Sequence, residues 1–243
     1  MRPIELLNNL SILLRTTSTY NQFKHTQIQK QKSKIEGLST TYLLLQFYSI
    51  GLSLISSLFY LLDPKIQSQY KTRFFGENTP INLPYSFIEI IYCGLSVVLL
   101  LQVKPRLNKE LLVFILLQLI PFAYLYKLWW FNQAKIFKLD LVDYLWFLGK
   151  FNFCIYLIPQ VYEIWLLENG NGLHSGWLLF NSAALAFEIG GNYVNDLEWF
   201  ENPFNFGNYW IIIWCNLIWI LIILIQTKYL YRHREEIVHY KEV

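Results

Sequence analysis

The chain has 243 residues, of which 54% are hydrophobic, 18% aromatic and only 15% charged, with a formal net charge of +3. A soluble domain carries about 25% charged residues, so this composition argues against a cytosolic or secreted protein and favours a membrane protein. The small net charge and the lack of a long Lys/Arg run argue against nucleic acid as a partner. Three cysteines within apolar runs indicate neither a disulfide framework nor a zinc site.

Apolar stretches long enough to span a bilayer recur along the chain. The first, Ile4–Gln22, is the weakest, because it also contains Arg15 and a run of Thr and Ser. Six stronger stretches follow, at Leu38–Leu62, Leu83–Val103, Leu111–Tyr126, Tyr144–Trp165, Trp177–Tyr193 and Asn208–Thr227. We expect Pro121 to kink or break the helix that contains it. The sequence thus predicts an all-α membrane protein with seven transmembrane helices.

The basic residues predict how these helices are oriented, because cytosolic loops are enriched in Lys and Arg. The loops after the first and third helices and the C-terminal tail together carry eleven Lys and Arg residues, whereas the opposite side carries seven. We therefore expect a multi-pass membrane protein with a lumenal N-terminus and a cytosolic C-terminus.

An internal repeat relates the two halves of the chain. The segment Gly37-Leu-Ser-Thr-Thr-Tyr-Leu-Leu-Leu-Gln46 recurs as Gly172-Leu-His-Ser-Gly-Trp-Leu-Leu-Phe-Asn181, with four identical positions at a constant offset of 135. A long apolar stretch follows each copy, and the third helix of each half ends in a Gln-x-Lys motif. We interpret these features as two three-helix repeats joined by one linker helix.

The repeat predicts a division of the chain into four parts. Residues 1–104 form the first three-helix repeat, 105–142 the linker helix and an outer loop, 143–230 the second repeat, and 231–243 a cytosolic tail. An odd linker helix leaves the two bundles parallel. Such 3+1+3 arrangements occur in the sugar-carrying SWEET proteins, and they place a binding site at the membrane midplane between the repeats.

A Pro-Gln pair precedes the second copy of the repeat, in Tyr156-Leu-Ile-Pro159-Gln160. A Pro-Gln pair late in a membrane helix, about a dozen residues before a Gly-Leu helix start, resembles the PQ-loop family. That family includes cystinosin-like lysosomal and vacuolar transporters and is related to the SWEETs. The resemblance covers most of the chain, although the first repeat has Asn21-Gln22 in place of the pair, before a loop about three residues longer.

The resemblance implies a transporter of an endomembrane organelle, such as the vacuole, lysosome or Golgi, that works by alternating access. It also implies that Pro159 and Gln160 form a gate or hinge on the cytosolic side. Pro159 lacks an N–H and crowds the preceding turn, so the alternative is a static packing kink. Cystinosin-like members carry an acid where this chain has Asn181, so proton-coupled cystine transport is not implied.

Four polar residues are candidates for binding the transported solute: Gln46, Tyr92, Asn181 and Asn216. Gln46 and Asn181 occupy matching positions in the repeat, as do Tyr92 and Asn216 when the third helices are aligned. Amide side chains suit a neutral polar or zwitterionic solute. The alternative is that these groups only join neighbouring helices through hydrogen bonds.

Glu188 and Lys150 are charged residues within predicted spans, at similar depths. An ionisable residue inside a membrane is a functional candidate by default. We consider that Glu188 carries a proton and pairs with Lys150. The alternative is that Glu188 reaches interfacial water near its helix end and that Lys150 extends to the surface.

The sequence therefore predicts a transporter of a small polar or zwitterionic, amino-acid-like solute, with proton coupling as an option. Its expected partners are the solute and the lipid bilayer. We expect no enzyme activity, cofactor or metal, and the oligomeric state is left open. Two alternatives remain, a scramblase-like phospholipid-handling protein and a sorting receptor like the KDEL receptors. Arg15 is a candidate base for the lumenal pocket of such a receptor.

Overall fold

The computed structural model describes residues 3–31, 37–74, 76, 79, 82–103, 109–131, 137–194 and 209–231. Within these ranges the chain forms helices and no strand. The helices are α1 (Pro3–Gln31), α2 (Thr40–Leu62), α3 (Pro64–Arg73), α4 (Leu83–Val103), α5 (Lys109–Phe131), α6 (Lys138–Ile155), α7 (Ile158–Leu167), α8 (Trp177–Tyr193) and α9 (Trp210–Ile225). A π-helical turn, Gln226–Leu230, continues α9.

Five helical stretches among the described residues are long and apolar enough to cross a membrane. They are Thr40–Leu62, Leu83–Val103, Lys109–Phe131, Lys138–Leu167 and Trp210–Leu230. Their outward side chains are largely apolar, which suits a lipid environment rather than water. The prediction of an all-helical fold is confirmed for the described residues, and the five apolar stretches suit a protein embedded in a membrane.

α1 carries its polar residues on the inside and its apolar residues on the outside. Leu6, Leu13, Tyr20 and Ile28 are exposed. The buried face is mostly polar: Asn8, Asn9, Ser11, Arg15, Thr16, Ser18, Thr19, Gln22 and Thr26. The 29 residues of the helix extend about 43 Å, which exceeds the thickness of a bilayer core. α1 is not among the five apolar stretches, because an average over the helix mixes an outward apolar face with an inward polar one.

The helices pack in the same order in both halves of the chain. α4 contacts both α1 and α2, and α9 contacts both α6 and α8. Across the halves, α1 packs along α8 and α2 packs along α6. α5 contacts mainly α6 and leaves most of its apolar surface exposed.

The span formed by α6 and α7 is interrupted at Tyr156 and Leu157, just before Pro159. A proline removes one backbone hydrogen bond and displaces the preceding carbonyl groups, which need other donors inside a membrane. α9 supplies them: Asn216 Nδ2 donates to the Phe153 carbonyl at 3.2 Å, and Trp219 Nε1 to that of Cys154 at 2.9 Å. By contrast, α5 continues through Pro121, so that proline does not end its helix.

Salt bridges join the short helix α3 to the start of α6. Arg73 contacts Asp140 at 2.6 Å and Asp143 at 3.4 Å, and Lys138 pairs with Asp63. The hydrogen bond from Lys138 lowers the pKa of Asp63. Because α6 begins at Lys138, its first residues lie in the segment 105–142 that we assigned to the linker.

Candidate functional site

A small cavity lies between α1, α2, α4, α6 and α8, the helices that join the two halves of the chain. Its volume is about 40 Å³, which is enough for a few water molecules and too little for an amino acid. Four charged side chains line it: Arg15, Glu89, Lys150 and Glu188. Charged groups are costly in a membrane interior, so four of them around one cavity mark the leading candidate site.

Arg15 and Glu188 form a two-pronged ion pair across the α1–α8 contact. Arg15 Nε lies 3.0 Å from Glu188 Oε1, and Arg15 Nη2 lies 3.2 Å from Oε2. Ser11 donates a further hydrogen bond to Oε1 at 2.7 Å. The two charged side chains are only 3% and 4% exposed. Paired hydrogen bonds of this kind fix the guanidinium and carboxylate planes, and they offset part of the desolvation of both ions.

The remaining face of the Arg15 guanidinium is also held. Nη1 lies 3.4 Å from both Tyr156 Oη and Asn181 Oδ1, and the guanidinium carbon lies 4.9 Å from the centre of the Phe153 ring. Tyr156 and Phe153 border the break between α6 and α7. Movement at that break would therefore change the surroundings of Arg15 directly.

Glu89 and Lys150 supply the other two charges of the cavity. Glu89 is buried and accepts a hydrogen bond from Ser57 at 3.4 Å. Lys150 is half-buried, with Nζ 5.8 Å from the centre of the Trp146 ring. Two acids and two bases make the cavity formally neutral, which suits a ligand that itself carries both signs of charge.

Within the described ranges, no three His, Cys, Asp or Glu side chains converge as metal ligands would.

The structure separates the four predicted solute-binding residues. Tyr92 lines the cavity, whereas Gln46 lies behind it and donates to Tyr92 Oη at 2.9 Å and to Thr19 Oγ1 at 3.3 Å. Asn181 accepts from Arg15 and donates to Ser18 Oγ at 2.9 Å. The two matching amides therefore hold cavity residues in place and do not form its wall.

Asn216 lies away from the cavity lining, against the carbonyl groups of Phe153 and of Ile212 in its own helix. Its observed contacts are those of a residue that joins helices. Glu188 and Lys150 both line the cavity, and the ion pair of Glu188 shown here is with Arg15.

Sequence reasoning gave too little weight to two cavity residues. Arg15 entered only as a candidate base for a receptor, and Glu89 received no role. Both are charged residues inside apolar stretches, and that signal was sufficient to select them. The polar face of α1 would have been a further signal, since inward Asn and Ser residues accompany Arg15.

Away from the charged cavity, the side chain of Gln160 forms hydrogen bonds with the backbone that leads into α2. Gln160 Nε2 donates to the Gly37 carbonyl at 2.8 Å, and the Ser39 amide donates to Gln160 Oε1 at 2.9 Å. The side chain thus satisfies one backbone acceptor and one donor and is itself completely buried.

Gln22 makes the equivalent contacts with the backbone that leads into α8. Gln22 Nε2 donates to the Gly172 carbonyl at 2.8 Å, and the His174 amide donates to Gln22 Oε1 at 2.8 Å. Gly172 and His174 are the residues that the offset of 135 matches to Gly37 and Ser39. We call Gln22, Gln160 and these four backbone partners the glutamine clamp.

The backbones of the two repeat copies touch inside the glutamine clamp. Gly37 has a φ of 78°, and a Cβ placed on Gly172 would lie 2.1 Å from the Gly37 carbonyl carbon. Next to this contact, Trp177 Nε1 donates to Tyr42 Oη at 3.3 Å. Equivalent residues of the two copies therefore meet each other, as residues beside a twofold axis do.

Alanine at Gln22 or Gln160 is expected to destabilise the protein by similar amounts. Each change leaves one buried N–H and one buried carbonyl without their partners, at a cost of about 1–3 kcal/mol for each group. The shift in melting temperature of the purified protein in detergent measures the effect. Gln67→Ala is the control, since Gln67 donates to two carbonyls near α3 outside the clamp. A Gln22→Ala shift no larger than that of Gln67→Ala would contradict the equivalence.

Comparison with known proteins identifies a relative without assigning a function. No protein-family model matches the chain. The chain is similar to an uncharacterized protein of Saccharomyces cerevisiae, with 26% identity over 231 residues that cover 85% of this chain and 88% of that protein. The similarity extends over most of both chains, so it concerns the helical assembly as a whole rather than a single segment.

Proposed function

We propose that the protein is a transporter that moves a small zwitterionic, amino-acid-like solute across an endomembrane by alternating access. The observation that carries this proposal is the charge-balanced cavity between the two halves of the chain. Arg15 and Lys150 are suited to a carboxylate of the solute, and Glu89 to its ammonium group.

The proposal includes a PQ-loop-like 3+1+3 arrangement of seven spans. In this arrangement α1 and α8 are membrane spans in addition to the five apolar stretches. One bundle consists of α1, α2 and α4, and the other of α6–α7, α8 and α9. Three observations support it: the third helix lies between the other two in each half, α1–α8 and α2–α6 are equivalent contacts, and the glutamine clamp repeats the same hydrogen bonds. α5 is the linker. The basic residues favour a lumenal N-terminus.

In this mechanism the glutamine clamp is the closed gate on the predicted cytosolic side. Gln22 lies seven residues after Arg15, or about 10 Å along α1, so the gate and the cavity are separate. Since the cavity, at about 40 Å³, is too small for an amino acid in the present arrangement, the two bundles must move apart to admit a solute. The break before Pro159 gives α7, which carries Gln160, a place to bend.

Glu188 is the proposed proton carrier. Protonation would remove its charge and weaken its pairing with Arg15, which would free the guanidinium for a solute carboxylate. Protonation of Glu188 would thus be coupled to solute binding at Arg15, without a separate proton site. Lys150 shares the cavity and would balance whichever carboxylate remains charged.

Uptake into proteoliposomes tests the proposal. We would supply labelled amino acids and sugars with and without an inward proton gradient, using wild type, Asn181→Ala and Glu110→Gln. Uptake of one solute class that falls severalfold in Asn181→Ala is expected, because Asn181 positions Arg15. Glu110, an exposed residue at the start of α5, provides the matched polar control. Lack of uptake by folded wild-type protein would overturn the proposal.

The charge balance also bears on the two alternatives. A receptor for an acidic peptide tail needs an excess of basic groups, whereas Glu89 and Glu188 neutralise Arg15 and Lys150 here. A phospholipid-handling protein needs a polar groove that opens to lipid, whereas the charges here converge on a small cavity between packed helices. Both observations favour a small zwitterionic solute.

A further inference from the structure

A second and much larger cleft, of about 810 Å³, lies at the gate end of the helices. Its walls come from the end of α1, the segment 168–176 between α7 and α8, and the end of α9 with its π-helical turn. It shares no lining residue with the charged cavity. The proposed solute site does not include this cleft, although the backbone amide of His174 belongs to the glutamine clamp.

The described side chains of the cleft that can carry charge at neutral or mildly acidic pH are all basic. Lys24 lies two turns before the end of α1, with Nζ 4.5 Å from the centre of the Tyr20 ring, and Lys228 lies in the π-helical turn. Both side chains are exposed. His25 and His174 lie between the helices with their ring centres 5.8 Å apart. No carboxylate is present among the described lining residues. A concave site with one sign of charge concentrates ligands of the opposite sign.

The histidines add hydrogen-bond donors to the cleft. His174 Nδ1 accepts from the Gly176 amide at 3.0 Å, so the proton of the neutral ring is on Nε2. His25 Nε2 donates to the Asn171 carbonyl at 3.0 Å. Burial lowers the pKa of His174, and the neighbouring His25 lowers it further. The two exposed lysines supply the fixed cationic groups of the cleft.

Two backbone features also suit the binding of an anion in this cleft. α8 begins at Trp177 beside the cleft. The positive end of the dipole of this 17-residue helix therefore lies next to Ser175 and Leu178 on the cleft wall. The π-helical turn is a rare winding that occurs often at functional sites, and it carries Lys228.

We propose that this cleft binds a phosphate group, presented either by the headgroup of an anionic phospholipid or by a soluble phosphate ester. Its volume falls in the range of small-ligand sites, and exposed lysines with a histidine N–H are suitable partners for phosphate oxygens. The cleft lies on the side that the basic residues assign to the cytosol, where anionic lipids concentrate. This proposal does not depend on the transport function.

Binding measurements on the full chain in phosphatidylcholine nanodiscs test the proposal. One arm adds a phosphatidylinositol phosphate to the bilayer and compares the melting temperature of the protein with that in phosphatidylcholine alone. The other arm titrates soluble inositol trisphosphate and inorganic phosphate. We expect saturable stabilisation in at least one arm. Stabilisation by the lipid alone assigns the headgroup, and stabilisation by a soluble compound assigns a phosphate ester.

The double variant Lys24→Gln/Lys228→Gln is expected to weaken binding by roughly tenfold or more. Both lysines are exposed, so the variant should keep the wild-type elution volume and melting temperature without ligand. Lys65→Gln/Lys71→Gln removes the same charge from exposed positions of α3 and should bind like wild type. No stabilisation of wild type in either arm, or equal weakening in both double variants, would overturn the proposal.

Discussion

Replacing Glu188 with alanine is expected to destabilise the protein by about 3–5 kcal/mol and to abolish solute uptake. The change leaves the Arg15 guanidinium buried without its carboxylate, and a lone buried charge is among the most costly groups in a folded protein. Ser11 also loses the acceptor of its 2.7 Å hydrogen bond. The melting temperature in detergent measures the first effect, and uptake into proteoliposomes measures the second.

A second variant separates the two effects. Arg15→Leu/Glu188→Leu removes both charges and fills the space with apolar side chains, a replacement that is often neutral or stabilising for buried ion pairs. We expect this double variant to recover most of the melting temperature and none of the uptake. If the double variant transports solute like wild type, the ion pair has no role in binding. If Glu188→Ala melts like wild type, the buried pair described here does not form.

Alanine at Gly172 is the other change for which we expect a large effect. Its Cβ would lie 2.1 Å from the Gly37 carbonyl carbon and 2.3 Å from the Leu38 amide nitrogen. These are backbone atoms that cannot move aside as a flexible side chain can, so the two repeat copies must separate. We expect a loss of at least the 1–3 kcal/mol that is typical of overpacking, and partial opening of the glutamine clamp.

Gly94→Ala is the matched control for that change. Beyond the neighbouring backbone of α4 itself, no atom of the described residues lies within 4 Å of the Cβ that alanine would add at Gly94, and alanine favours a helix by about 1 kcal/mol over glycine. The melting temperature should therefore fall in Gly172→Ala and stay level or rise in Gly94→Ala. Accessibility of a cysteine introduced at Ser39, measured by labelling, should increase only in Gly172→Ala. Equal behaviour of the two variants would refute the close contact at the repeat interface.

The structural equivalence of Gln22 and Gln160 explains how the first repeat contacts its partner backbone without a Pro-Gln pair. The hydrogen bonds need only the glutamine amide, and both repeats have it. Proline is present only before Gln160, where the span is interrupted between α6 and α7, whereas α1 is continuous through Gln22. The two sides of the clamp are thus alike in contacts and different in helix geometry.

The sequence by itself determined the all-helical class, five of the six strong apolar stretches and the repeat positions that meet at Gly37 and Gly172. These features depend on hydropathy and local similarity, which are read along the chain. It also marked Glu188 and Lys150, because a charge within an apolar stretch is visible without coordinates. The polar stretch of α1 remained ambiguous, since an average over one helix cannot tell which face lies inside.

Only the tertiary structure decided which polar residues form the site. Gln46 and Asn181 match in sequence, but packing places them behind Tyr92 and Arg15, while Asn216 serves the interrupted helix α6. The partner of Glu188 depends on how α1 crosses α8, and the glutamine clamp depends on contacts between residues more than 100 positions apart. Such contacts follow from the relative placement of helices, and no local pattern along the chain specifies that placement.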